Sequence, residues 1–198
     1  MNDSSCEARG AIAGLILAAG LSRRAGLANK LLIDTDGQPM IARVAARTKA
    51  AGLAPVLVVT GHEHKRVAKA VAGLGVQCIQ NPDYEEGMAA SIRHGVAALD
   101  DSIDGVLICL GDMPWVEVAT LVSLIDTFDP KNNREICRPL YQGKSGNPVL
   151  FARIHFDALG AIKGDRGGRP VIEANPDVLS EIDVDDAGVL RDLDRVPT

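Results

Sequence analysis

Residues 16–32 read ILAAGLSRRAGLANKLL, and this stretch decides the fold prediction. Apolar and small residues run straight into a glycine, and two arginines, a second glycine and a lysine follow. A run of that kind predicts a buried β-strand that ends in a glycine-containing turn. The turn concentrates cations at the end of the strand, so it predicts a local site for an anion that carries several charges.

Apolar runs alternate with amphipathic segments along most of the chain. The predicted strands are residues 13–18, 55–60, 76–80, 106–110 and 136–140. The predicted helices are residues 40–51, 63–72, 88–99 and 116–128. Strands that alternate with helices of this length indicate βαβ units around a mostly parallel sheet, so the predicted fold class is α/β.

The pattern changes after Pro130. The stretch YQGKSGNPVLF predicts a strand, a glycine turn and another strand, and GDRGGRPVI predicts the start of a short helix. The chain has no internal repeat and no linker-like segment, and its 198 residues suffice for one substantial core. The prediction is a single domain over residues 1–198.

Composition and charge exclude several classes of function. The formal net charge is -5, which argues against bulk binding to nucleic acid. No apolar stretch approaches the roughly 20 residues that cross a bilayer, and the N-terminus has no apolar signal-peptide core, so we expect a cytoplasmic protein. The four scattered cysteines form no CxxC pair, which argues against a zinc site or disulfides: Cys6, Cys78, Cys109 and Cys137. Cys78 and Cys109 lie in apolar runs and are predicted to be buried small hydrophobes.

The turn after the first strand is a candidate phosphate-binding loop. Gly20 and Gly26 permit a tight turn in which amide hydrogens point at a ligand's oxygens. Arg23, Arg24 and Lys30 add the cationic charge that a triphosphate needs. The spacing matches neither the P-loop nor the dinucleotide-binding pattern, and the alternative is a surface loop whose arginines only solvate the strand end.

A carboxylate follows the fourth predicted strand in GVLICLGDMPW. Gly111 lets the chain turn, Pro114 prevents the strand from continuing, and Asp112 lies between them. In open α/β sheets ligands bind beyond the carboxyl ends of the strands, where Asp112 would face the phosphate loop as a Mg²⁺ ligand. The alternative is an Asp that closes a turn.

A second acidic cluster lies near the end of the chain, in DVDDAG. Its aspartates are Asp183, Asp185 and Asp186. One of them could provide a second metal ligand, but acidic residues that cap a helix N-terminus produce the same pattern.

The ordered set LAAGLSRRAGLANKLL, VTGHE, NPDYEEGMAASIRHGV, LGDMPW, GNPVLF, GDRGGR and DVDD covers most of the chain. It resembles the nucleotidyltransferases of molybdenum cofactor maturation, most closely the molybdenum cofactor cytidylyltransferases. The resemblance implies a Rossmann-like, three-layer nucleotidyltransferase fold with a mostly parallel central sheet. It implies Mg²⁺-dependent transfer of CMP from CTP to the phosphate of molybdopterin, with release of pyrophosphate, and a recipient molybdoenzyme as a further partner.

The resemblance also implies residue roles. The nucleotide is expected to lie against Leu17, Ala18, Ala19, Gly20, Arg23, Gly87 and Ser91. Arg24 and Lys30 match the basic residues that hold the triphosphate. Asp112 matches the metal-binding aspartate, and Asp185 matches a position with Asp or Asn near the metal. Ala25 departs from the family's RMG triplet, which puts the rigidity of the loop in doubt.

Several alternatives stay open. Related guanylyltransferases resemble LAGG where this chain has LAAG, and the methyl group of Ala19 should crowd a purine more than a pyrimidine; this favours CTP over GTP. Other hypotheses are a sugar- or alditol-phosphate nucleotidyltransferase and a non-catalytic molybdopterin carrier.

Some polar residues receive no firm role. His62 and His64 in GHEH could bind a metal, although a helix start explains them better. The acceptor could be bound by Lys144, Arg166, Arg169 or Trp115, although surface turns and packing explain these residues nearly as well.

Overall fold

The computed structural model describes residues 10–20 and 29–193. Arg23, Arg24, Ala25 and Gly26, which the sequence assigns to the phosphate loop, lie outside the described residues.

Strands and helices alternate as the sequence predicts. The strands are β1 (Ala11–Ala18), β2 (Val56–Thr60), β3 (Gln77–Gln80), β4 (Ile103–Leu110), β5 (Ile136–Tyr141), β6 (Lys144–Ser145), β7 (Val149–Ala152) and β8 (Leu179–Asp183). The helices are α1 (Met40–Ala50), α2 (His64–Ala70), α3 (Met88–Ala97), α4 (Val118–Thr127), α5 (Phe156–Ala161) and α6 (Arg169–Ala174).

The described strands form one mostly parallel sheet. Its order is β3-β2-β1-β4-β7-β5-β6, and β8 pairs with β5. The pairs β1–β2, β1–β4, β2–β3 and β5–β8 are parallel, whereas β7 runs antiparallel to β4 and β5. In the central register, Leu15 of β1 lies between Leu57 of β2 and Ile108 of β4. The predicted α/β fold with a mostly parallel central sheet is confirmed.

Two apolar clusters, one on each side of the sheet, complete three layers. One cluster joins β1 to α1 and α4 and includes Ile16, Ile41 and Leu124. The other joins β1 to α3 and α5 and includes Leu15 and Leu159. Burial of these aliphatic side chains provides the main stabilisation, since the composition contains few aromatic residues.

Missing side chains let the helices approach the central strand closely. A Cβ on Gly14 of β1 would lie 2.6 Å from Cγ2 of Thr48 in α1. A Cβ on Gly95 of α3 would lie 2.3 Å from Cδ1 of Leu15. Both contacts are shorter than real Cβ contacts, so glycine at these positions sets the distance between the layers and holds β1 in place at the centre of the fold.

Within residues 10–20 and 29–193, no helix is long and apolar enough to cross a membrane. The sequence missed β8 and α5. The hairpin predicted from YQGKSGNPVLF is present, with its turn at Gln142 and Gly143, both at positive φ.

Candidate active site at the carboxyl edge of the sheet

The carboxyl ends of β1, β2 and β4 meet at one edge of the sheet. The amide of Gly111, just after β4, donates to the carbonyl oxygen of Leu17 over 3.0 Å. A Cβ on Gly111 would lie 2.8 Å from that same oxygen. After β2, a Cβ on Gly61 would lie 2.4 Å from Cβ of Tyr84 and 2.9 Å from the carbonyl oxygen of Ala19. Glycine at both turns therefore lets the segments that follow β1, β2 and β4 pack in direct contact.

The structure brings Lys30 and Asp112 together at this edge of the sheet. The ammonium group of Lys30 donates to Oδ2 of Asp112 over 2.6 Å, across 82 positions of sequence. Both side chains are about one-fifth exposed, at 20% and 22%. The pair is sheltered enough for its charges to be ordered, yet open enough for a ligand to reach them.

Asn29 fixes the turn that presents Lys30. Lys30 begins a short 3-10 turn, and Oδ1 of Asn29 accepts a hydrogen bond from the amide of Leu31 over 3.1 Å. Asn29 also lies beside the carboxylate of Glu63. The pKa of Glu63 is lowered mainly by a hydrogen bond from Arg66, and a hydrogen bond from Asn29 lowers it further. Asn29 therefore links the end of the cationic loop to the start of α2.

Residues 17–20, which the sequence assigns to nucleotide binding, lie at and just after the end of β1. Ala18 and Ala19 are buried, Leu17 is half-buried, and Gly20 is exposed. The carbonyl oxygen of Ala19 accepts from the amide of His62 over 3.4 Å. A Cβ on Gly20 would meet no atom of the described residues within 4 Å.

Gly87 and Ser91 lie at the start of α3. Gly87 has φ of 99°, a left-handed conformation that favours glycine. Ser91 is buried at 4% exposure, and its Oγ accepts from Nδ2 of Asn81 over 3.1 Å. Ser91 therefore holds the NPDYEEG segment, and its hydroxyl, which only accepts in this contact, keeps its own hydrogen for a further acceptor.

Asp165 is a residue of this region that the sequence analysis missed. Its Oδ1 accepts from the amide of Met88 over 3.0 Å, while the carbonyl oxygen of Gly164 accepts from the amide of Ala89 over 2.9 Å. The GDRGG loop therefore satisfies the first amides of α3, which favour an acceptor of negative charge. The only signal was the density of glycines in GDRGGR.

The DVDD cluster separates into residues with different roles. Asp186 is buried at 5% exposure, and its carboxylate accepts from the amides of Glu117 and Gly188 and from Oγ1 of Thr120, over 2.7–2.8 Å. It caps the 3-10 turn Ala187–Leu190, so the capping interpretation applies to Asp186. Asp185 is exposed and keeps its place as a candidate ligand.

The segment after DVDD returns to the site. The amide of Leu193 donates to the carbonyl oxygen of Asp112 over 3.1 Å. The guanidinium carbon of Arg191 lies 3.9 Å from the centroid of the Trp115 ring. The Trp115 ring that the sequence offered for stacking is therefore covered on one face by an arginine.

The remaining candidates are engaged in local contacts. Nδ1 of His64 lies 2.7 Å from Oγ1 of Thr60 at the start of α2. Arg166 and Arg169 both bind Glu173, over 2.7 and 2.8 Å. Within the described ranges, no group of three or more His, Cys, Asp or Glu residues could hold a metal ion.

The chain matches a known family over most of its length. The sequence model described as the MobA-like NTP transferase domain matches residues 14–178. The bifunctional protein GlmU of Rhizorhabdus wittichii is 37% identical over 115 residues, covering 58% of this chain and 25% of GlmU. The chain thus spans about a quarter of the length of that relative.

Two other relatives carry different names. Nicotine blue oxidoreductase of Paenarthrobacter nicotinovorans is 25% identical over 193 residues, or 93% of each chain. The 3-deoxy-manno-octulosonate cytidylyltransferase of Bartonella bacilliformis is 29% identical over 109 residues, covering 54% of this chain and 43% of the relative.

Solved structures share the whole fold. Rv0371c from Mycobacterium tuberculosis H37Rv superposes with a TM-score of 0.83 at 30% identity, covering 94% of this chain and 93% of that chain. A complex of Rv0371c with manganese superposes with a TM-score of 0.74 at 27% identity, covering 88% of each chain.

Proposed function

This chain belongs to the MobA-like NTP transferase domain family, a family of nucleotidyltransferases, and on that premise we propose that it transfers CMP from CTP to the terminal phosphate of molybdopterin. A phosphate oxygen of the acceptor attacks the α-phosphorus of CTP, and a new phosphorus–oxygen bond forms. The bond between the α-phosphorus and the bridging oxygen breaks, and pyrophosphate leaves with that bond's electron pair. The acceptor phosphate is already ionised at neutral pH, so the reaction needs no general base.

The contact between Lys30 and Asp112 carries this proposal. A triphosphate has to meet cationic charge, and its reacting phosphate needs neutralisation at the same place. The structure holds one lysine and one aspartate in contact at the carboxyl edge of a parallel sheet, where β1 also ends. Arg23 and Arg24 precede Lys30 in sequence, and their positive charges would stabilise the leaving pyrophosphate.

The residues fit a divalent metal ion, which we assign as Mg²⁺. A partly exposed carboxylate, as Asp112 provides, is the hard oxygen ligand that Mg²⁺ prefers. Asp112 would hold the ion, with Asp185 as the second candidate. When bound, the metal neutralises charge on the α-phosphate. Since too few acidic groups cluster among the described residues to hold a metal alone, triphosphate oxygens would complete its coordination.

The choice of CTP is supported by Ala19. Ala19 stands at the end of β1 where related guanylyltransferases resemble LAGG, and its extra methyl group would crowd a purine more than a pyrimidine. A methyl group changes selectivity by about 1–3 kcal/mol, so Ala19 would act together with other contacts. The relative named as a cytidylyltransferase is consistent with this assignment.

A second candidate function has support in the same relative. Its name implies cytidylyl transfer to a sugar acid, 3-deoxy-manno-octulosonate, rather than to a pterin phosphate. The relative of matching length is named an oxidoreductase, which defines a third activity to test.

One assay separates these functions. The purified protein is incubated with Mg²⁺ and each of the four nucleoside triphosphates, with molybdopterin, 3-deoxy-manno-octulosonate, a sugar phosphate or no acceptor. Pyrophosphate release is measured, and a separate incubation with NAD(P)H and nicotine blue tests for oxidation of the nicotinamide. Release that requires CTP and molybdopterin supports the proposal. Release with a sugar acceptor or with GTP would show that the proposed substrates are wrong. Oxidation of the nicotinamide would show that the protein is an oxidoreductase. Binding of molybdopterin without turnover would support a non-catalytic carrier.

A further inference from the structure

We propose that Arg191, stacked on Trp115, is the binding point for the phosphate group of the acceptor, an inference that rests on the proposed nucleotidyl transfer. The ligand class is a phosphomonoester dianion. The site consists of the guanidinium of Arg191, the ring of Trp115 beneath it and the adjoining backbone of Asp112.

Arg191 differs from the other described arginines in the groups that surround its guanidinium. The other arginines of the described ranges either bind a carboxylate or, in the case of Arg47, donate to a backbone carbonyl oxygen. Arg191 is exposed, forms no ion pair with a carboxylate of the described residues and rests on the ring at 3.9 Å. Its guanidinium donors are therefore available to an anion.

The ring contact prepares the guanidinium for phosphate. A guanidinium that lies over an aromatic face is held by cation–π attraction and keeps its edge donors directed away from the ring. Those donors match two phosphate oxygens at once. Because the side chain is already ordered, less conformational entropy is lost when the phosphate binds.

The fold anchors this arrangement firmly. The buried Asp186 joins the segment to the start of α4 through Glu117 and Thr120, over 2.8 and 2.7 Å. Gly188 packs on the backbone of Trp115, where a Cβ would lie 2.5 Å from the carbonyl carbon and oxygen. Residues 186–193 are thus held against the turn that carries Trp115.

The same segment reaches the reacting centre. The amide of Leu193 binds the carbonyl oxygen of Asp112, two residues after Arg191. The carboxylate of Asp112 is already engaged by Lys30. A phosphate held by Arg191 would therefore approach from the side of Asp112 formed by the last described residues, whereas Lys30 comes from the segment after β1.

Arg153 offers a matched control. It also lies over an aromatic ring, with its guanidinium carbon 5.6 Å from the Phe156 centroid. However, it binds Asp101 over 2.5 Å and the carbonyl oxygen of Ile103 over 3.1 Å, at the amino end of β4. It has the same chemistry at the opposite edge of the sheet, but its charge is already paired.

The test uses the fluorescence of Trp115, the single tryptophan of the chain. Methyl phosphate is titrated into the full-length protein with Mg²⁺ and a non-hydrolysable CTP analogue, with trimethyl phosphate as the neutral control. Line broadening of the ³¹P signal of the probe gives the same dissociation constant without reliance on the ring. We expect saturable binding, weakened at least tenfold in Arg191→Met, weakened less in Arg191→Lys, and unchanged in Arg153→Met.

Equal affinities of the wild-type protein and Arg191→Met would overturn the assignment, provided that both unfold at the same temperature. The titration is repeated without the CTP analogue, and binding of methyl phosphate that is lost when the analogue is added would also overturn the assignment, because Arg191 would then serve the triphosphate. In turnover assays, Arg191→Met should raise the acceptor KM at least tenfold and leave the KM for CTP unchanged. Absence of turnover with every acceptor would refute nucleotidyl transfer, while the methyl phosphate titration would still decide whether Arg191 binds phosphate.

Discussion

Charged side chains have different partners at the amino and carboxyl edges of the sheet. At the amino edge, Arg153 binds Asp101 and the backbone near the start of β4, and Asp104 accepts from the amide of Ala11 over 3.2 Å. At the carboxyl edge, Lys30 and Asp112 come from the segments that follow the neighbouring strands β1 and β4, and they form an ion pair. Charges at the amino edge complete the ends of strands, whereas those at the carboxyl edge are the ones that we propose to bind a ligand.

The largest effect expected from this difference is on Asp112. Asp112→Asn keeps the shape of the side chain but removes the charge that binds a metal ion, so turnover should fall on the order of 10³-fold. The measurement is kcat for pyrophosphate release at saturating CTP and Mg²⁺. Asp101→Asn, at the amino edge, is the matched control and should retain wild-type turnover. If Asp112→Asn kept turnover within threefold of the wild type, Asp112 would have no part in the reaction.

Lys30→Met tests the partner of Asp112. Loss of a charge-assisted contact to the triphosphate removes about 1.5–3 kcal/mol, so kcat/KM for CTP should fall roughly 10- to 100-fold. The free energy of unfolding should change by less than about 1 kcal/mol, since a partly exposed ion pair contributes little to stability. Lys65→Met, on the exposed face of α2, is the control. A variant that lost stability but kept kcat/KM would make the ion pair structural.

Much of the fold could be predicted because the strands are short apolar runs with helices between them. β8 was missed because none of its residues is fully buried: they are half-buried or exposed, so the strand has no apolar run. Among the described strands, β8 pairs only with β5. α5 was missed because its six residues are too few to establish a helical period. Short elements and half-exposed elements carry the weakest pattern.

The site could be predicted only in part, for a similar reason. Lys30 and Asp112 follow the ends of neighbouring parallel strands, so topology alone brings them near each other. Arg191 and Asp165 reach the site through their contacts with Trp115 and the amide of Met88, residues distant in sequence. Such contacts depend on the path of loops, and a single sequence gives no periodic signal for that path.

Close backbone packing at Gly111, at the carboxyl edge of the sheet, can be tested by a single methyl group. In Gly111→Ala the new methyl group would lie 2.8 Å from the carbonyl oxygen of Leu17 and 3.2 Å from Cδ1 of Ile41, so the turn has to shift. We expect the free energy of unfolding to fall by about 1–3 kcal/mol, measured by urea denaturation. Turnover should also fall, because Asp112 is the next residue.

Gly160→Ala is the matched control for that substitution. Gly160 lies in α5, and a Cβ there would meet nothing within 4 Å. Because alanine has a higher helix propensity, stability should rise by about 0.5–1 kcal/mol and turnover should not change. Equal effects of the two substitutions would mean that close packing at Gly111 does not set the geometry of the site.

The smallest effect is expected inside β4, three residues before Asp112. Burial raises the pKa of the Cys109 thiol to about 12 and that of Cys137 to about 12. The reactive thiolate therefore forms only at a pH far above the usual value near 9, and at pH 8 its population is lower by roughly 10³-fold. Iodoacetamide at pH 8 should leave both thiols unmodified by mass spectrometry in the native protein and modify both in urea, without loss of turnover in a Cys6→Ser, Cys78→Ser background. Rapid native modification of Cys109 together with inactivation would extend the reactive region into β4; protection would confine it to the segment beyond Leu110.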